Sequence, residues 1–382
     1  MSEKRSIFEE VGDTQATRPQ TTAGVIDKAA SRGARGAIRV WLMILFALVV
    51  LMIAVGGLTR LTDSGLSITE WRPVTGAIPP MTPEDWGIEF EKYRAIPEYQ
   101  LQNRGMSLEE FKVIYWWEWG HRQLGRFIGV VWAVGFLVFL VARKIPTGWT
   151  GRLLLPGVLG GIQGAIGWWM VSSGLTGTML DVASYRLATH LGLAFVILGL
   201  LAWYIFKLGR READLLQARR SRDGALFSVG TGLMHFTFLQ ILLGALVAGI
   251  DAGRSFNDWP LMGGYWLPPE PLSLTPIWRN FFEDAGLVQF MHRTAGYALF
   301  LFGLIVWFRA RRSANARTRG AFHAVMAMMV LQMLLGIATV LYLAPWHLAI
   351  LHQFGAVLLF TLILRARFLA QYPTTQSVRG QA

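Results

Sequence analysis

Eight stretches of about twenty apolar residues, the length that crosses the hydrocarbon core of a bilayer, recur along a chain of 382 residues. They cover 38–58, 119–142, 153–172, 186–207, 225–249, 286–308, 320–343 and 346–366. Lipid offers no partner to a backbone N–H or C=O, so such segments fold as helices that satisfy those groups internally. The fold class expected is therefore an all-α polytopic membrane protein with eight transmembrane helices. Hydrophobic residues make up 53% of the chain and charged ones only 16%, more apolar surface than a soluble domain of this length needs.

The net charge of +12 raises the question of nucleic acid, and its distribution answers it. Of the 36 Lys and Arg, 24 fall before span one, between spans two and three, four and five, and six and seven, and from the end of span eight onward. That bias places both termini in the cytoplasm by the positive-inside rule. The basic character is orientation and contact with membrane lipid, and nucleic-acid binding is set aside. Residues 1–37 mix Glu3, Glu9, Glu10 and Asp13 with bases, unlike an acid-poor transit peptide; they are expected to be a disordered cytoplasmic tail on a bacterial inner-membrane protein. The chain has no Cys, which excludes disulfides and thiolate ligands.

The two halves repeat. Glu118-Trp119-Gly120-His121-Arg122 at the opening of span two aligns with Gln289-Phe290-Met291-His292-Arg293 at the opening of span six. Asp63, Trp71, Gly76 and Pro79-Pro80 after span one align with Asp251, Trp259, Gly264 and Pro268-Pro269 after span five. Gln163 and Gly167 answer Gln332 and Gly336, and His190 with Ala194 answers His352 with Ala356. The pattern implies a tandem repeat of two four-helix bundles in parallel orientation. The units expected are 38–208 and 225–368, joined by a linker at 209–224 and followed by a cytoplasmic tail at 369–382.

Four histidines stand at matched depth in this frame, and four-helix units hold cofactors between facing helices. Paired neutral imidazoles on neighbouring helices commonly hold haem iron, so His121, His190, His292 and His352 are expected to form two bis-histidine haem sites. The simplest pairing joins His121 to His190 and His292 to His352; pairing across the halves is geometrically open. His235, His323 and His347 lack such support and are read as packing, interface and surface residues.

Glu118 lies on the helical face of His121, at a depth where a carboxylate is costly. It is a proton-accepting group beside a haem, one partner of a salt bridge to Arg122 or Arg126, or simply a solvated residue above the interface. The matching residue, Gln289, cannot ionise, which puts chemistry in the first half and electron transfer or support in the second. Arg122 and Arg293 could pair with haem propionates or anchor at headgroups by snorkelling. The loop over 59–117, with nine acidic and six basic residues, is either an ordered cap over the first site or a mobile linker.

The run Gly56-Gly57-Leu58-Thr59-Arg60-Leu61-Thr62-Asp63-Ser64-Gly65-Leu66-Ser67, followed by Glu70-Trp71, and the Glu118-x-x-His121-Arg122 motif resemble the signatures of the heme A synthases. The likeness covers about residues 38–368 and is closest to a cysteine-free, proteobacterial-like form. It implies oxidation of the C8 methyl of haem O to a formyl group, giving haem A for cytochrome c oxidase. On this resemblance His121 and His190 would flank the substrate haem O and Glu118 would be the acidic residue needed for chemistry. His292 and His352 would ligate a haem b cofactor. A heme O synthase, an electron-transfer partner and a second copy of the chain are the protein partners it leaves open. The rivals are a diheme b-type electron-transfer protein linked to quinol, which leaves its haems unmodified, and a transporter built on parallel repeats.

Overall fold

The computed structural model describes residues 34–177 and 179–375. The tail expected over 1–37 therefore lies almost wholly outside the described residues, as does the end of the tail expected over 369–382. Among the described residues there is no strand, and eight helices are long and apolar enough to cross a membrane, so the chain is an all-α multi-pass membrane protein. The spanning helices are Arg35–Leu61, Leu108–Val141, Thr150–Val171, Ser184–Leu208, Gly224–Gly249, Ala285–Ala310, Ala316–Leu341 and Trp346–Gln371, spans one to eight in order.

Span two departs most from its expected start. Its helix begins at Leu108 rather than 119 because Ser107 and Glu110 form a reciprocal capping box, which satisfies orphan N–H groups of the first turn. The result is a continuous helix of 34 residues.

Span one packs on spans two and four, and span three bridges the same two. Span five packs on spans six and eight, and span seven bridges those. The halves meet where span four contacts spans five and eight and where span one contacts span eight. Span four is the most enclosed helix, burying Phe195, Leu198, Leu201 and Ile205 against Ile38, Leu42 and Leu45 of span one and Phe360 of span eight. Lipid tails are as apolar as these side chains, so close packing and interhelical hydrogen bonds carry the association. Trp41 Nε1 donates to Val131 O and Trp132 Nε1 to Leu153 O, both at 3.0 Å. Across the halves Gln353 Nε2 donates to Ile53 O at 2.7 Å.

The loop between spans one and two is an ordered cap. Two short helices, Pro83–Arg94 and Pro97–Leu101, enclose an aromatic cluster in which Tyr93 and Phe111 are fully buried with ring centroids 5.2 Å apart. Span two holds the backbone of this cap with three polar residues that lie within about one turn. Arg122 donates to Ile68 O and Glu70 O, Gln123 to Ala77 O, and Arg126 to Arg72 O and Pro73 O.

Candidate functional site

His121 on span two faces Gly56 of span one, and His190 on span four faces Gly167 of span three. A Cβ on Gly56 would stand 3.1 Å from His121 Nε2, and one on Gly167 2.9 Å from His190 Cε1. The second half matches: a Cβ on Gly244 or Gly336 would stand 3.1 Å from Cε1 of His292 or His352. Each ring is thus set against bare helix backbone, a close approach that only glycine allows.

The structure brings the second pair together: the His292 and His352 rings have centroids 6.4 Å apart at 85°. Two imidazoles on opposite sides of one metal, each with a nitrogen about 2 Å from it, have ring centres roughly 6 Å apart. The second pair therefore fits a bis-histidine haem. His352 Nδ1 and Arg293 Nε are buried without partners, and Arg293 lines a cavity of about 210 Å³ with Phe290, Tyr297, Met262 and Trp266.

Three glutamines support the histidines through their backbone. Gln163 donates to His190 O at 3.0 Å, Gln332 to His352 O at 2.6 Å and Gln240 to His292 O at 2.9 Å. Residues behind metal ligands typically alter affinity 10–100-fold. Gln332→Leu is accordingly expected to weaken haem binding at the second site roughly 10–100-fold, read by titrating haem b into haem-free protein; wild-type affinity would remove Gln332 from that role.

Glu118 is 3% exposed, and four donors fill its carboxylate. Oε1 accepts from Arg122 Nε at 3.1 Å and Nη2 at 2.6 Å, while Oε2 accepts from Ser67 Oγ and Ile68 N, both at 2.7 Å. Gln289, 1% exposed, meets the opposite polarity in its own loop. Its Nε2 donates to Phe256 O at 3.1 Å and its Oε1 has no partner. Arg293 donates to the carbonyls of Phe256, Asp258 and Leu261, as Arg122 does to those of Ile68 and Glu70. Both arginines therefore fasten the preceding loop to the helix that carries the adjacent histidine.

One carboxyl in the cap has no such support. Glu98 is 3% exposed and its Oε2 has no partner. Burial first, then the carboxylates of Asp181, Asp63 and Glu118, push it up to about 8 from an ordinary 4.5, against the pull of Arg60. A folded-state value above the unfolded one means that the fold holds a proton the unfolded chain releases. The contribution to stability is complete below about pH 4.5 and is lost as pH rises toward 8. Glu98→Gln is expected to abolish this loss, seen as a thermal midpoint that no longer falls across that window; an unchanged slope would contradict the assignment.

The remaining histidines stay apart from these sites. His235 is exposed on span five rather than packed, with Nδ1 against Thr231 O at 2.9 Å. His323 accepts from Trp307 Nε1 at 2.8 Å, and His347 is on the surface. Sequence reading missed Ser67 and Gln240. Ser67 sits in the first-loop signature but its partner depends on the path of the loop. Gln240 aligns with Met52, so the repeat gave no signal for it.

Comparison with known proteins adds an independent line. A family model described as cytochrome oxidase assembly protein matches residues 39–364. A heme A synthase of Dinoroseobacter shibae is 69% identical, with 100% of this chain and 99% of that protein covered. Heme A synthases of Roseobacter denitrificans, 67% identical with 100% of both chains covered, and of Paracoccus denitrificans, 62% identical with 99% of both covered, are similar along the same length.

Proposed function

The chain belongs to the heme A synthase family of cytochrome oxidase assembly proteins, and from that premise we propose that it oxidises the C8 methyl of haem O to a formyl group. The observation that carries the placing of this chemistry is the filled, buried carboxylate of Glu118 one turn before His121, against neutral Gln289 before His292. The His121 and His190 pair is the substrate site, and the His292 and His352 pair is the cofactor site. The paired packing of spans one to four and of spans five to eight, with the matched loop carbonyls under Arg122 and Arg293, supports a tandem duplication behind this division. Both termini lie in the cytoplasm of a bacterial inner membrane, and both sites face the outer side.

Turning a methyl into an aldehyde with oxygen from water, R–CH3 + H2O → R–CHO + 4 H+ + 4 e−, passes four electrons to an external acceptor and releases four protons, by two hydroxylations and loss of water from the geminal diol. Protons released beside the first site need an acceptor, and Glu118 takes one only when a donor withdraws. Ser67 is that donor. Its hydroxyl also has Ser64 O at 3.0 Å and Ile114 O at 3.3 Å, so rotation about its Cβ–Oγ bond frees a lone pair on Glu118 Oε2 while Arg122 and Ile68 hold the carboxylate in place. Haem b held by His292 and His352 supplies one-electron chemistry when bound. Arg293, with Nε unpaired beside a cavity, is placed to pair with one of its propionates. Arg122 keeps the 67–70 turn closed over His121. Separating the haems extracted from protein purified with and without a source of haem O tests the proposal: haem A or a hydroxylated intermediate is expected, and haem b alone in both samples would overturn it.

A further inference from the structure

At the outer face one arginine connects the two histidine sites. Arg60, in the last turn of span one, has a side chain only 14% exposed and three carboxylates around its guanidinium. Nη1 meets Asp63 at 3.0 Å, and Nη2 meets Asp251 at 2.9 Å and Asp181 at 3.5 Å. Each belongs to a different segment. Asp63 opens the knot in which Ser64 N donates to Thr59 O and Ser67 N to Ser64 O, and that knot ends at the Ser67 and Ile68 donors of Glu118. Asp181 lies shortly before Ser184–Leu208, the helix of His190. Asp251 belongs to the second half and opens the turn Ala252–Arg254, beyond which Phe256 O receives Arg293 and Gln289 beside His292.

Asp63 and Asp251 are equivalent in the aligned halves, and both take the left-handed backbone, at φ 48° and 51°, that Asp and Asn tolerate better than most residues. The position equivalent to Arg60 is Ala248. A single guanidinium therefore serves both aspartates. A planar fork with five N–H donors can grip several carboxylates in fixed directions, which an ammonium cannot.

We propose that Arg60 is the positioning residue that couples the two histidine sites, holding the loop over Glu118, the approach to the His190 helix and the loop over Arg293 in one geometry. This rests on the two-site reading above. The test uses the full chain loaded with haem b and haem O, and it compares wild type, Asp251→Asn, Arg60→Gln, their double variant and Arg60→Lys. Asp251→Asn is nearly isosteric and suits the same backbone, so it preserves the fold if Arg60→Gln does not. Although it lies in the second half, it is expected to shift the optical and electron-spin spectra of the haem at His121 and His190. Haem A formation is expected to fall about tenfold, the scale of a small misplacement at a reacting centre. The double variant should lose no more than the worse single one, since both break the same grip, and Arg60→Lys should recover part of the rate. An unmoved first-site spectrum in Asp251→Asn, or losses that multiply in the double variant, would overturn the coupling. Wild-type protein that binds fewer than two haems would instead overturn the two-site reading.

Discussion

Glu118→Gln is expected to keep both haems and to lose haem A formation by roughly 10²–10⁴-fold, the usual worth of a positioned acid or base. The substitution changes almost no volume, so its effect isolates charge and hydrogen-bond polarity. All four partners of this carboxylate are donors: Arg122 twice, Ser67 and Ile68. An amide would turn its own N–H groups toward one of these pairs, and it has no basic oxygen of comparable strength. The second half shows what glutamine requires at this place, because Gln289 faces the carbonyl of Phe256. Ser67→Ala removes the donor that must withdraw and leaves the charge, so haem A formation is expected to stay within about tenfold of wild type. Haem content measured beside product yield separates a stalled site from an empty one. Normal haem A from Glu118→Gln would sink the chemical role of Glu118.

Removing either histidine of the second pair should have an effect of the same order through occupancy. His352→Leu or His292→Leu is expected to weaken haem at that site by more than the roughly 10–100-fold assigned to residues behind a ligand. Purified protein should then retain the haem of the first site and lose the second. The 6.4 Å spacing of the rings makes the loss specific, since one imidazole cannot hold both faces of the iron. His347→Leu on the surface is the control, with full haem content expected. Equal haem content in His352→Leu and wild type would exclude His352 as a ligand.

The spans were legible in the sequence because they follow from local pattern: a long apolar run can only be a helix in lipid. The extension of span two to Leu108 also left a sign, the Ser107 and Glu110 capping pair, hidden by charged residues that no apolar window admits. The partners of Glu118 and Arg122 were not legible. They are backbone groups of a loop, and which N–H or C=O a loop presents depends on its path. The contrast of Glu118 with Gln289 was visible as a difference of residue, but not the difference in partners: Ile68 offers Glu118 its N–H, while the equivalent Phe256 offers Gln289 its carbonyl. Arg60 and Asp251 are 191 residues apart, and only the packing of spans one, four and five reveals them as a pair.

The unbroken helix Leu108–Val141 also works as a ruler. At 1.5 Å per residue the stretch from His121 to Val141 is about 30 Å long, the thickness of the hydrocarbon layer, and the stretch from Leu108 to His121 rises about 20 Å further into water. The helix is therefore long enough to cross that layer on one side of His121 and still carry the cap on the other.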